Sequence, residues 1–154
     1  MKRYSISKDK RGIIEMPIQY IVAIAIASIA IAITSFAGYQ MWKDMQVKEA
    51  IKEVDKIVKE AELMYSSADN GTTQTITVDF PPGIEKVVFG SADPNNSNRY
   101  YILMDWGENR SFYAQHACFT GNDDGKAVIY GGTRSITLEL LNHGGNKYVR
   151  VSIP

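Results

Sequence analysis

Hydrophobic and polar positions follow three rhythms along this chain. From Met16 to Trp42 there are 27 consecutive residues without a charge; at about 1.5 Å per helical residue they extend roughly 40 Å, enough to cross about 30 Å of hydrocarbon. A transmembrane helix over residues 13–42 is the expectation. A helix buried in a soluble core would need neighbours on every face, which the half-polar remainder of the chain does not offer. Over residues 43–68 the apolar positions Val47, Ala50, Ile51, Val54, Ile57, Val58, Ala61, Met64 and Tyr65 recur at steps of three and four, with Lys and Glu between them. That spacing predicts an amphipathic helix. Glu49 with Lys52, Glu53 with Lys56 and Asp55 with Lys59 are spaced for surface pairing. Neither glycine nor proline stands between Gly38 and Asn70, so the two segments can form one helix of about 50 residues.

The run Ser66-Ser67-Ala68-Asp69-Asn70-Gly71 breaks the helix, and from there the period falls to two. Strands are expected near Thr73–Phe80, Glu85–Phe89, Arg99–Trp106, Ser111–Phe119, Lys126–Tyr130, Ser135–Leu141 and Lys147–Ile153, separated by turn chemistry such as Pro81-Pro82-Gly83 and Asn142-His143-Gly144-Gly145. The fold class is therefore α+β: a long N-terminal helix, then an antiparallel β-sandwich of about seven strands over residues 72–154. The helix's apolar stripe laid on one sheet would enlarge a small core.

Charge adds direction. The 154 residues hold 17 basic and 17 acidic side chains, so no strongly basic surface points to nucleic acid. The balance is uneven, however: residues 1–12 carry Lys2, Arg3, Lys8, Lys10 and Arg11 against Asp9 alone. By the positive-inside rule this basic leader stays in the cytoplasm and residues 43–154 lie outside, with Tyr20, Tyr39 and Trp42 as interfacial anchors. A cleaved secretory signal is the competing reading, with Ser35-Phe36-Ala37 before Gly38 as its site, although the apolar run exceeds the roughly 7–15 residues of such signals. Within the span, Ala23, Ala27 and Ala30 form one small-residue stripe and Ala25, Ser28 and Ala32 another, which permits close helix–helix approach.

Little else suggests chemistry. One cysteine excludes an intrachain disulfide, and two histidines leave little for a metal centre; no cofactor is expected. His116 and Cys118, two apart on an expected strand, share a face and are the only candidate catalytic pair. Asn122-Asp123-Asp124-Gly125 lacks the alternating ligands of a calcium loop and reads as a tight turn, and His143 as an exposed loop residue. Three Asn-x-Ser/Thr sequons, at Asn70, Asn95 and Asn109, fall in expected turns and are candidate glycosylation sites if this part of the chain is extracellular.

The order of a basic segment, Lys10-Arg11-Gly12, then IIEMPIQYIVAIAIASIAIAI resembles the class III signal sequence of type IV pilins and of archaeal pilin-like and archaellin-like proteins. The match covers about 30 residues. The resemblance implies a prepilin peptidase cutting after Gly12, Ile13 as the first mature residue, and a hydrophobic helix retained for membrane anchorage and later filament packing. It also implies an assembly role for an early glutamate, which in the family stands five residues after the cut; here Glu15 stands three after it and Pro17 holds the fifth place. Glu15 also fits as an acid favoured at a helix start, and Pro17 as the point where the strong helix begins.

The expected function is thus a non-enzymatic, pilin-like structural or adhesive surface subunit, membrane-anchored and self-associating. The alternative is a monomeric bitopic anchor binding another envelope protein, such as an archaellum accessory protein. A secreted or membrane-tethered enzyme would have only His116 and Cys118 behind it.

Overall fold

A computed structural model describes residues 11–154, with side chains described from Pro17 onward. Most of the basic leader and the side chains of Ile13 and Glu15 lie outside the described residues, as does any side-chain detail at the Gly12–Ile13 junction. The chain divides after Trp42 into two units, each described by itself below.

One helix, α1 (Arg11–Ser67), runs through both units. It starts ahead of Pro17 rather than at it: Pro17 lies inside the helix, where its missing N–H removes one bond to an earlier carbonyl without ending the element. In the first unit every side chain from Pro17 to Trp42 is exposed. The Ser28 hydroxyl donates to the Ile24 carbonyl at 2.8 Å and the Thr34 hydroxyl to that of Ala30 at 3.0 Å. Both polar side chains are thereby satisfied within the helix, as hydrocarbon surroundings demand. Among the described residues, this is the one helix long and apolar enough to cross a membrane.

In the second unit the remainder of α1 carries the expected stripe. Val47, Ala50, Val54, Ile57, Val58, Ala61 and Met64 are buried in a single core cluster with residues of every long strand, and Ile51 and Tyr65 pack against it. Lys56 pairs with Glu53 at 2.5 Å and Lys59 with Asp55 at 2.6 Å, the second pair on the outer side.

Eight strands follow: β1 (Thr73–Phe80), β2 (Ile84–Gly90), β3 (Arg99–Met104), β4 (Asn109–Tyr113), β5 (Phe119–Thr120), β6 (Lys126–Tyr130), β7 (Gly132–His143) and β8 (Asn146–Ser152). They form two four-stranded sheets, ordered β1-β7-β8-β5 and β4-β3-β2-β6. Every pairing is antiparallel except that of β5 with β8, which is parallel. β7 and β8 meet through Gly144-Gly145, both at positive φ, as a two-residue hairpin requires.

The expected strand Ser111–Phe119 is two strands in different sheets. β4 stops at Tyr113, the chain crosses over, and Phe119 pairs with Val149 of β8. The physical reason lies on the helix. Glu62 Oε1 accepts the backbone N–H of Gln115 at 3.0 Å and of His116 at 3.2 Å, so these groups are taken from any ladder. Ala114 and Ala117 are buried on either side of that clamp. β3 also ends earlier than expected, with Asp105 and Trp106 in the turn before β4.

An aromatic cluster fills the centre: Phe89 meets Phe119 edge-on with centroids 5.1 Å apart and stacks on Tyr100 at 5.7 Å, and Tyr100 stacks on Phe112 at 5.4 Å. Burial raises the Tyr100 hydroxyl's pKa, reinforced by the Asp55 and Glu62 carboxylates. At the other end of the unit, the Gln46 side-chain carbonyl is buried and accepts the Gly83 N–H at 3.3 Å, beside the Trp106 ring.

Candidate functional site

Three surfaces hold the expected site residues, and a fourth holds residues the sequence did not single out. The first is the apolar helix surface. Ala23, Ala27 and Ala30 lie exposed along it, leaving a strip of low relief between isoleucines such as Ile24, Ile26 and Ile31. Tyr39 stacks on Trp42 with centroids 6.1 Å apart, an aromatic pair suited to an interfacial belt.

The sequons occupy three different settings. Asn70 is exposed after the helix end, and its side-chain oxygen accepts the Asn142 N–H at 2.8 Å, leaving its amide nitrogen unused by that bond. Asn95 is exposed in a 3-10 turn, Pro94–Asn96, held by Asp93, whose carboxylate accepts the Asn95 N–H at 3.0 Å. Asn109 is not in a turn as expected but is the first residue of β4, exposed and opposite Leu103.

The third surface is an open groove of about 650 Å³ between the last turns of α1 and the β4–β5 connection, with Tyr65, Ser97, Asn98, His116 and Cys118 among its walls. His116 and Cys118 are not on a strand, so the shared face expected for them does not exist. His116 is exposed and anchored through its backbone to Glu62, whereas Cys118 is half-buried and lines the groove with Tyr65. Burial, then the thiol, raises the Tyr65 pKa. Among the described residues no hydrogen bond joins the His116 and Cys118 side chains. Asn122–Gly125 forms a hairpin turn in which Asp123 and Lys126 exchange backbone hydrogen bonds at 3.1 and 2.9 Å. His143 ends β7, exposed, rather than lying in the loop.

The fourth surface is the outer face of the β4-β3-β2-β6 sheet. Tyr100, Ile102 and Met104 point into the core, so Arg99, Tyr101 and Leu103 point away from it. The registers set Tyr113 beside Arg99 and Gly90 beside Lys126, then Ser111, Tyr101, Val88 and Val128 in one row, then Asn109, Leu103, Lys86 and Tyr130 in the next. The Arg99 guanidinium sits 5.7 Å from the Tyr101 ring centre and donates from Nη2 to Ser111 Oγ at 3.1 Å, while its Nε has no acceptor. Tyr113 and Tyr130, on the two edge strands, are 59% and 58% exposed. Val88 is buried yet stands apart from the core cluster, covered by its neighbours on this face.

The opposite sheet presents different chemistry outward: Thr75 bonds to Thr137 across β1 and β7, Thr133 to Asp79, and Arg150 to Glu139. Tyr148 and Arg150 also share that outer face on β8, but there the cation is already paired with Glu139.

No protein-family model, no curated protein and no solved structure matches this chain.

Proposed function

We propose that this chain is a pilin-like surface subunit, structural or adhesive, held in the membrane by residues 13–42 before assembly. The observation that carries this reading is the double use of α1. Its uncharged turns expose every side chain, and its later turns supply Val54, Ile57 and Ala61 to the core of the β-domain. A cut before Gly38 would leave the core stripe from Val47 to Met64 in place but divide a helix that runs unbroken from Arg11 to Ser67.

The leader adds polarity to the reading. Its basic cluster would remain cytoplasmic until a prepilin peptidase cuts after Gly12, leaving the β-domain outside and Ile13 as the new N-terminus. Helices would then pack through Ala23, Ala27 and Ala30, and Glu15 would lie near the start of that bundle. The exposed sequons would face the exterior, available for glycosylation.

The test is the mature N-terminus, measured by mass spectrometry on protein from native membranes, followed by electron microscopy of the sheared surface fraction. A start at Ile13 with the protein present in filaments is expected. A start at Met1 without filaments would overturn the reading in favour of a permanent bitopic anchor, and a start at Gly38 would make the segment a secretory signal.

A further inference from the structure

The outer face of the β4-β3-β2-β6 sheet serves neither the core nor the apolar helix, and its layout is not that of an ordinary solvated face. None of its twelve cross-strand positions from Tyr113 to Tyr130 holds a carboxylate. Yet residues 43–154 carry 12 basic and 15 acidic side chains, so the unit as a whole is anionic. Glu85, 3.8 Å from the Lys86 ammonium, sits at the register shift between Ile84 and Lys86 and outside these rows.

Two of its three cations are placed with aromatics, and the third, Lys126, lies across from Gly90. Arg99 lies directly across from Tyr113 at one corner of the face, and Lys86 directly across from Tyr130 at the opposite corner. Four residues along the strands and two strand spacings across them separate the pairs by about 16 Å. Between them lie Tyr101, Val88 and Leu103, an apolar floor with no charge. The same two-part module, a flat ring beside a cation, is therefore presented twice on one surface. A ligand that repeats, carries one anionic group per repeat and offers a ring face would engage both modules at once, each contact raising the effective concentration for the other.

Charge density narrows the class. Duplex DNA carries one phosphate charge per about 1.7 Å of axis and is held by many cations, whereas this face offers only Arg99, Lys86 and, across from Gly90 at the start of β6, Lys126. A sparsely charged chain fits better. The guanidinium fork suits a carboxylate, and the exposed tyrosines suit the C–H face of a sugar ring.

We propose that this face binds a linear acidic polysaccharide, with Arg99 and Lys86 taking uronate carboxylates and Tyr113 and Tyr130 stacking on the rings. The binding is independent of leader cleavage and of filament assembly, and it would operate equally on a monomeric anchor.

The experiment uses the full chain in nanodiscs and polygalacturonate as the probe, with fully methyl-esterified polygalacturonate, which keeps the rings and loses the charge, as its counterpart. Calorimetric titration is expected to show binding of the acid form that weakens with salt, and at least tenfold weaker binding of the ester. Arg99→Gln and Lys86→Gln should each weaken the acid form about tenfold or more, and Tyr113→Ala or Tyr130→Ala should weaken it without altering the salt dependence. Circular dichroism of the two exposed-tyrosine variants should match that of the parent. Equal binding of acid and ester, no binding of either, or binding untouched by these four substitutions would overturn the proposal. Tighter binding of oligo-dT would assign the face to single-stranded nucleic acid instead, and loss of self-association in the variants without polysaccharide binding would assign it to a second copy.

Discussion

Glu62, on the last turns of α1, accepts the backbone N–H of His116, 54 residues further along the chain, at 3.2 Å, and that of Gln115 at 3.0 Å. This one carboxylate decides where β4 ends and lets the chain change sheets. Replacing it by alanine leaves two N–H groups without their acceptor. Glu62→Ala should destabilise the domain by about 1–3 kcal/mol. Glu62→Gln keeps an amide oxygen at the same reach and should recover most of the loss. Urea unfolding followed by circular dichroism reads both, and an unchanged midpoint for the alanine variant would show that the clamp is dispensable.

The core role of the helix can be separated from its propensity. Ile57 is fully buried, whereas Leu63, six residues on, is 59% exposed. Truncating Ile57 to alanine removes buried methyl groups and leaves a cavity, at a cost of about 2–5 kcal/mol. Leu63→Ala changes helix propensity little and should stay within about 0.5 kcal/mol. Equal unfolding midpoints for the two variants would mean that the β-domain does not depend on α1.

Much of this was legible in the chain, and the misses have physical causes. The stripe from Val47 to Tyr65 repeats at helical spacing over about five turns, long enough to be unambiguous. The break after Tyr113 was hidden because its cause, Glu62, is remote in sequence, while Ala114 to Phe119 reads locally as strand. β5, at two residues, is shorter than any alternation pattern. The tyrosine-and-cation face was missed because Arg99-Tyr100-Tyr101-Ile102-Leu103-Met104 is apolar or aromatic in both phases, so period two marks a strand but not which side faces the core. The registers of β3 with β2 and β4 resolve that ambiguity. His116 and Cys118 failed as a pair for the related reason that they never share a strand.

Acid should weaken the domain partly through Glu53. Burial alone would raise its pKa, but the Lys56 ammonium and the Asp79 N–H, with Lys52 further off, together hold it below the usual 4.5. A carboxyl depressed in the folded state contributes stability above its unfolded pKa, and that contribution disappears as pH falls from about 4.5 through the folded value. Glu108, lowered chiefly by the Trp106 indole N–H and then by Arg110, has the same sign. The unfolding midpoint should therefore be flat from pH 7 to 5 and fall below it. Glu53→Gln should flatten that decline while lowering the midpoint at pH 7; a decline as steep as the parent's would remove Glu53 from the account.

Assembly through the apolar helix makes a positional demand that anchorage does not. On a helix Ala27 lies with Ala23 and Ala30, whereas Ile29 projects about 160° away from Ala27. Both are exposed in the isolated chain. Phenylalanine at either site preserves an apolar span, so membrane insertion and the unfolding midpoint of the β-domain should match the parent in both variants. If helices pack along the alanine stripe, Ala27→Phe inserts a ring where backbones approach and should weaken association by about 1–3 kcal/mol, roughly five- to 150-fold. Ile29→Phe should then assemble normally. Filament yield by electron microscopy, with analytical ultracentrifugation of the detergent-solubilised chain as a second readout, distinguishes the cases. Equal assembly of the two variants would mean the stripe is apolar filler facing lipid, and association, where it occurs, would have to be carried by the β-domain.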